Sequence, residues 1–197
     1  MRIGMKIGVA VLFLLVLVGC AGTSKYMQDV TDPNIAYAPA VDEVIVVFMR
    51  PSTFAFAIQS GLFDITTEKN DVIGIVSAKK KLAYRTTPGK HLFMVTGESA
   101  DFLQADLQAG KTYYALITPR MGAWKARFSL AAVSKDIEPD KLNEWKTACT
   151  WVETSEATRQ WAKENAGSIQ RKRSDYIAKW MAKPEEGKPT LAPEDGF

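Results

Sequence analysis

The chain has 197 residues, 47% of them hydrophobic: enough length for one domain with a sizeable core, and too apolar for a disordered polymer. Its formal net charge is +3, and without Arg2 and Lys6 only 23 basic side chains face 22 acidic ones. That balance lacks the basic excess of a nucleic-acid binder, so no nucleic-acid partner is expected.

Residues 1–6 carry Arg2 and Lys6, and Ile7 to Val18 is an apolar run broken only by Gly8. A basic start followed by a short apolar run is the layout of a secretory signal peptide. The alternative, a transmembrane anchor, needs roughly 20 apolar residues, which this run does not supply. Leu17-Val18-Gly19-Cys20 then resembles the lipobox of bacterial lipoprotein precursors. The resemblance implies a signal peptide over residues 1–19 and lipid attachment at Cys20. It also implies a membrane partner reached through that lipid. Ala21 follows where an aspartate favours inner-membrane retention in Gram-negative lipoproteins. Its absence implies the inner leaflet of the outer membrane, with the protein facing the periplasm. With Cys20 acylated, Cys149 has no partner for an internal disulfide, and it reads as a small buried hydrophobe or a redox thiol.

Residues 20–40 contain Gly22, Asp32, Pro33 and Pro39 without periodicity and read as a flexible tether. From residue 41 the pattern is that of strands. Glu43 to Met49 is a β-branched run stopped by Arg50-Pro51-Ser52, and Phe54, Phe56 and Ile58 alternate with smaller residues. Short strands follow over Asp71–Val76, Lys81–Arg85, Leu92–Thr96, Leu103–Leu107 and Thr112–Thr118. The last places Trp124, Ala126, Phe128 and Leu130 on one face. About seven or eight short strands, with turns between, predict a mainly β fold, an antiparallel β-sandwich over residues 41–134.

Near Pro139 the period switches to that of helices. A short helix is expected over Asp140–Lys146, and a longer one capped by Thr154-Ser155-Glu156 and ended by Pro184, with Gly167 as a kink or break. Residues 135–183 are thus a helical appendage, and residues 184–197 a frayed tail. Trp161, Ile169, Tyr176 and Trp180 share one helix face. That stripe either docks on the sandwich, binds an envelope protein or a second copy, or lies on a membrane surface.

Chemistry-bearing motifs are scarce. There is one histidine, and no HExxH, CxxC, GxSxG or phosphate-binding loop, so no metal, cofactor or catalytic residues are expected. His91 follows the turn Thr87-Pro88-Gly89-Lys90. It reads as a strand-edge histidine sharing a face with Phe93 and Val95, or as a ligand or proton donor.

The lipobox, Arg50-Pro51-Ser52, Pro88-Gly89-Lys90-His91 and Ala109-Gly110-Lys111-Thr112-Tyr113-Tyr114, in that order, resemble a family of uncharacterised bacterial lipoproteins. That family looks like a compact β-sandwich of the carboxypeptidase-regulatory-like or PEGA-like kind, and the resemblance spans residues 43–133. It implies the sandwich but no catalytic residues. The function expected is a non-enzymatic structural or protein-interaction module on the envelope. The alternatives are a glycan or lipid-headgroup binding module using Trp124, Tyr113, Tyr114 and Trp161, and a hydrolase built on His91.

Overall fold

A computed structural model describes residues 24–32, 37–124 and 126–197. It contains eleven strands and three α-helices. The strands are β1 (Met27–Asp29), β2 (Val44–Arg50), β3 (Ser60–Asp64), β4 (Asp71–Val76), β5 (Lys80–Thr86), β6 (Gly89–Thr96), β7 (Ala100–Leu107), β8 (Thr112–Arg120), β9 (Arg127–Ala132), β10 (Thr150–Thr154) and β11 (Thr190–Leu191). The helices are α1 (Pro139–Thr147), α2 (Glu156–Glu164) and α3 (Ala166–Met181).

Two open sheets form a sandwich, in the orders β1-β10-β5-β2-β8-β9 and β11-β7-β6-β3-β4. Both are mixed, because β2 runs parallel to β8, β10 to β5 and β11 to β7. The expected purely antiparallel sandwich of seven or eight strands is corrected on both counts. The extra strands come from segments too short to show a period.

The run Val44–Met49 has a clear cause. Val44, Val46 and Phe48 enter the core between the sheets, whereas Ile45, Val47 and Met49 pack with Leu142 of α1 on the outer side. A strand covered on both faces reads as continuously apolar. The second sheet is covered too. Phe63, Met94 and Phe102 form an outer cluster with Ile169 and Trp180 of α3. The layers are therefore helix, sheet, sheet, helix.

Three further expectations are corrected. Within the expected tether, β1 pairs with β10, and Met27 is buried. The expected helical appendage contains β10, which joins β1 to β5, so it is part of the sandwich. The expected frayed tail is tied down: β11 extends the second sheet, Leu191 is buried, and Phe197 and Thr112 exchange backbone hydrogen bonds of 2.9 and 3.0 Å. Helices α2 and α3 lie where one long helix is expected, and the break falls at Asn165, two residues before Gly167. Ser155 caps α2 in a capping box with Thr158.

Candidate functional site

His91 was the sequence's leading candidate for chemistry. The Thr87-Pro88 corner links β5 in one sheet to β6 in the other, and Gly89 there has a φ of 116° that favours glycine. His91 faces inward with Phe93, their rings stacked at 5.7 Å. Its Nδ1 lies 3.0 Å from Asp64 Oδ2 and its Nε2 2.9 Å from the Thr87 carbonyl oxygen. Both partners are acceptors, which favours the protonated imidazole. Burial is the largest single influence on His91 and pulls its pKa down. The bonds to Asp64 and Thr87 together outweigh it and raise the pKa above 6.5. Burial likewise pushes Asp64 up, but the bonds from His91 and from the Thr66 hydroxyl and amide hold its carboxyl below 3.8. Tyr84, from the opposite sheet, donates to Asp64 at 3.1 Å. The cluster is a clasp between the sheets, with both ring nitrogens engaged within the chain.

The other sequence candidates are placed as follows. Cys20 lies outside the described residues. Cys149 is buried, and burial pushes its thiol up to about 11, which suits a packing role. In the aromatic stripe, Ile169 and Trp180 are buried against the second sheet, and Trp161 and Tyr176 are half-buried beside them. Of the alternatives for the stripe, the structure shows docking on its own sandwich. Tyr113 is fully buried, and Tyr114 packs edge-on against Phe197 at 5.2 Å. Among the described residues no cluster of three or more His, Cys, Asp or Glu has the geometry of a metal site.

An end of the sandwich that exposes large apolar groups together was missed. Phe54, Phe56 and Ile58 do not form a strand; they belong to the loop between β2 and β3. Phe54 is 51% exposed and Phe56 64%, while across from them Met121 is 83% and Trp124 94% exposed in the β8–β9 loop. Phe54, Ala55 and Ile58 line one hollow of about 270 Å³ with Met121 and Trp124. A usable signal was present: aromatic residues spaced by alanine, shortly after Pro51 and Ser52.

Both loops are splinted from below. Arg50 is fully buried, and its guanidinium donates to the carbonyls of Ile58, Val76, Phe54 and Ala55 at 2.7, 3.1, 3.2 and 2.8 Å. It lies 4.7 Å from the Phe128 ring centre, and burial lowers its pKa to about 10. Ala55 is held at a φ of 54°, an uncommon conformation for a residue other than glycine. On the other loop, the Glu98 carboxylate accepts from the backbone amides of Ala123 and Trp124 at 3.1 and 2.7 Å, and from Arg127. The Arg50-Pro51-Ser52 motif is therefore the foundation of a rigid apolar loop.

Next to this tip, between α3 and the second sheet's Ser99–Asp101, runs a groove of about 290 Å³. Arg120, Arg127, Lys179 and Lys183 line it opposite Asp101. Asp101 lies 3.9 Å from Arg120; among the described residues Lys179 and Lys183 have no carboxylate partner. Buried Trp180 forms part of its wall and has an Nε1 donor without a partner among the described residues.

Comparison with known proteins adds no family to this description: no protein-family model and no curated sequence matches the chain.

Proposed function

We propose that the chain is a lipid-anchored envelope protein, held through Cys20, whose folded part is a non-enzymatic module facing the periplasm from the outer membrane. The observation that carries this reading is that Ser24, four residues after Cys20, is already packed into the domain. Ser24 is buried, its hydroxyl donates to Gln59 Oε1 at 3.1 Å, and its carbonyl accepts from Met27 at 2.8 Å. Four residues reach about 14 Å at full extension. An acylated Cys20 therefore keeps the domain close against the lipid instead of on a long tether. Two or three acyl chains make such an anchor stable, where one would be marginal.

The test is Cys20→Ala in cells given labelled palmitate. The parent protein is expected to carry label and fractionate with membranes, and the variant to lose the label and accumulate with residues 1–19 attached. Undiminished label or unchanged processing in the variant would sink the reading.

A second reading, a module for lipid headgroups or glycans, is favoured on its headgroup side by the basic groove of Arg120, Arg127, Lys179 and Lys183. Its glycan side loses support. Of the four rings that motivated it, Trp124 stands open, while Tyr113, Tyr114 and Trp161 pack against the chain itself.

A further inference from the structure

We propose that the Phe54/Phe56 and Met121/Trp124 loops dock on the bilayer surface, their side chains entering the headgroup–acyl boundary while the adjoining groove takes anionic lipid headgroups. The proposal deepens the anchored reading and rests on it.

Four observations converge. The two loops project the largest exposed apolar groups from one end of the sandwich, where β2 and β8 terminate side by side. Water disfavours that arrangement, and contiguous apolar exposure marks an interaction surface. Phe and Trp are the residues expected at a membrane interface. Second, Arg50 and Glu98 hold the backbones of the two loops in place by hydrogen bonds.

Third, the anchor leaves from the same end. Gln59, which holds Ser24, belongs to the loop that carries Phe54 and Phe56. With about 14 Å of chain between Ser24 and Cys20 at most, an acyl group on Cys20 brings this end, not the His91 end, to the lipid. Fourth, the charge fits. Lys179 and Lys183 line the groove, and Arg120 and Met121 border both the groove and the apolar hollow. Basic groups beside an apolar tip suit a surface with an apolar interior and anionic headgroups. A protein partner would satisfy the apolar exposure alone, but it would not account for the anchor's position.

The test uses the full processed protein, purified from membranes and reconstituted into phosphatidylethanolamine–phosphatidylglycerol vesicles with or without brominated acyl chains. Bromine quenches only tryptophans at the lipid. Brominated lipid is expected to dim the parent protein, and Trp124→Phe to remove at least half of that quenching. Phe54→Ser with Phe56→Ser is expected to cut the quenching at least twofold, with circular dichroism and the melting temperature unchanged because both side chains are exposed. Phosphatidylcholine vesicles are expected to give weaker quenching than the anionic ones; equal quenching would overturn the headgroup half. Quenching unaffected by Trp124→Phe would overturn the docking itself, as would a photocrosslinker at position 124 that captures protein and no lipid in intact cells. The mass of the N-terminal peptide separates the two ideas. An acylated protein with no quenching at Trp124 keeps the anchor and overturns the docking. An unacylated one that is still quenched when added to vesicles does the reverse.

Discussion

At the scale of the residue, His91 and Asp64 show how a catalytic-looking pair becomes a structural one. Their side chains are each 8% exposed and 3.0 Å apart, and both nitrogens of the histidine ring already have a hydrogen-bond partner. The turn chemistry of Pro88-Gly89 was legible from the sequence; the partners were not, because Asp64 lies 27 residues away. The pair makes a pH-dependent contribution whose sign follows from its shifts. His91 has a raised folded pKa, so its contribution is complete below its ordinary 6.5 and is lost as pH rises through the folded value. Asp64 has a lowered one, so its contribution is complete above 3.8 and is lost as pH falls through the folded value. His91→Asn should therefore lower stability by about 1.5–3 kcal/mol near pH 5.5, the range for a buried hydrogen bond to a charged group. The gap should narrow as pH rises past the folded pKa of His91. Urea midpoints of both proteins from pH 5 to 9 check this, and a constant gap would contradict the charged clasp.

Among the elements, most alternating segments are strands, but residues 54–58 are a loop and the last strand starts at Arg127, after Trp124. The alternation of Phe54, Phe56 and Ile58 is that of a strand, but Arg50 draws the carbonyls of Phe54, Ala55 and Ile58 toward itself and no neighbouring strand claims them. Period alone does not tell which partner a backbone carbonyl will find. For α3, the aromatic stripe was visible as a stripe, but its occupant was decided by Phe63, Met94 and Phe102, contributed by three different strands. Docking makes a definite prediction. Trp180→Ala should cost about 3–5 kcal/mol and Ile169→Ala about 2–5 kcal/mol, as for buried core truncations. Denaturant unfolding is the measurement; losses below 1 kcal/mol would mean that the helix face is free. At the start of α2, Ser155 both caps the helix and donates to the Tyr26 carbonyl at 2.6 Å, which binds β1 to the helical layer.

For the whole molecule, the tail is what closes the sandwich. Leu191 enters the inter-sheet core, while Lys111 and Tyr113 donate to the Pro193 carbonyl at 2.9 and 3.1 Å and Lys135 donates to that of Gly196 at 2.9 Å. Removing residues 188–197 uncovers Leu191's site, the Tyr113 hydroxyl and the edge of β7. The expected cost is about 3 kcal/mol or more, combining one buried leucine with several hydrogen bonds. A melting temperature unchanged by this deletion would restore the frayed tail. The same long-range closure gives the molecule two unlike ends. One carries the His91 clasp, and the other carries the apolar loops beside Ser24.

By itself the sequence determined the parts whose physics is local. These are the basic and apolar order before Cys20, the turn at Pro88-Gly89, the alternating strands, and the switch of period near Pro139. Tertiary structure decided the parallel pairings, the inclusion of residues 24–32 and 188–197 in the sandwich, and the inward face of His91. It also decided that the apolar loops meet at one end beside Ser24. The division follows from range: side-chain period and turn chemistry act over a few residues. A short edge strand such as Thr190–Leu191 gains its stability only from a neighbour far along the chain. An exposed tip likewise has no meaning until the loops that build it have been brought together.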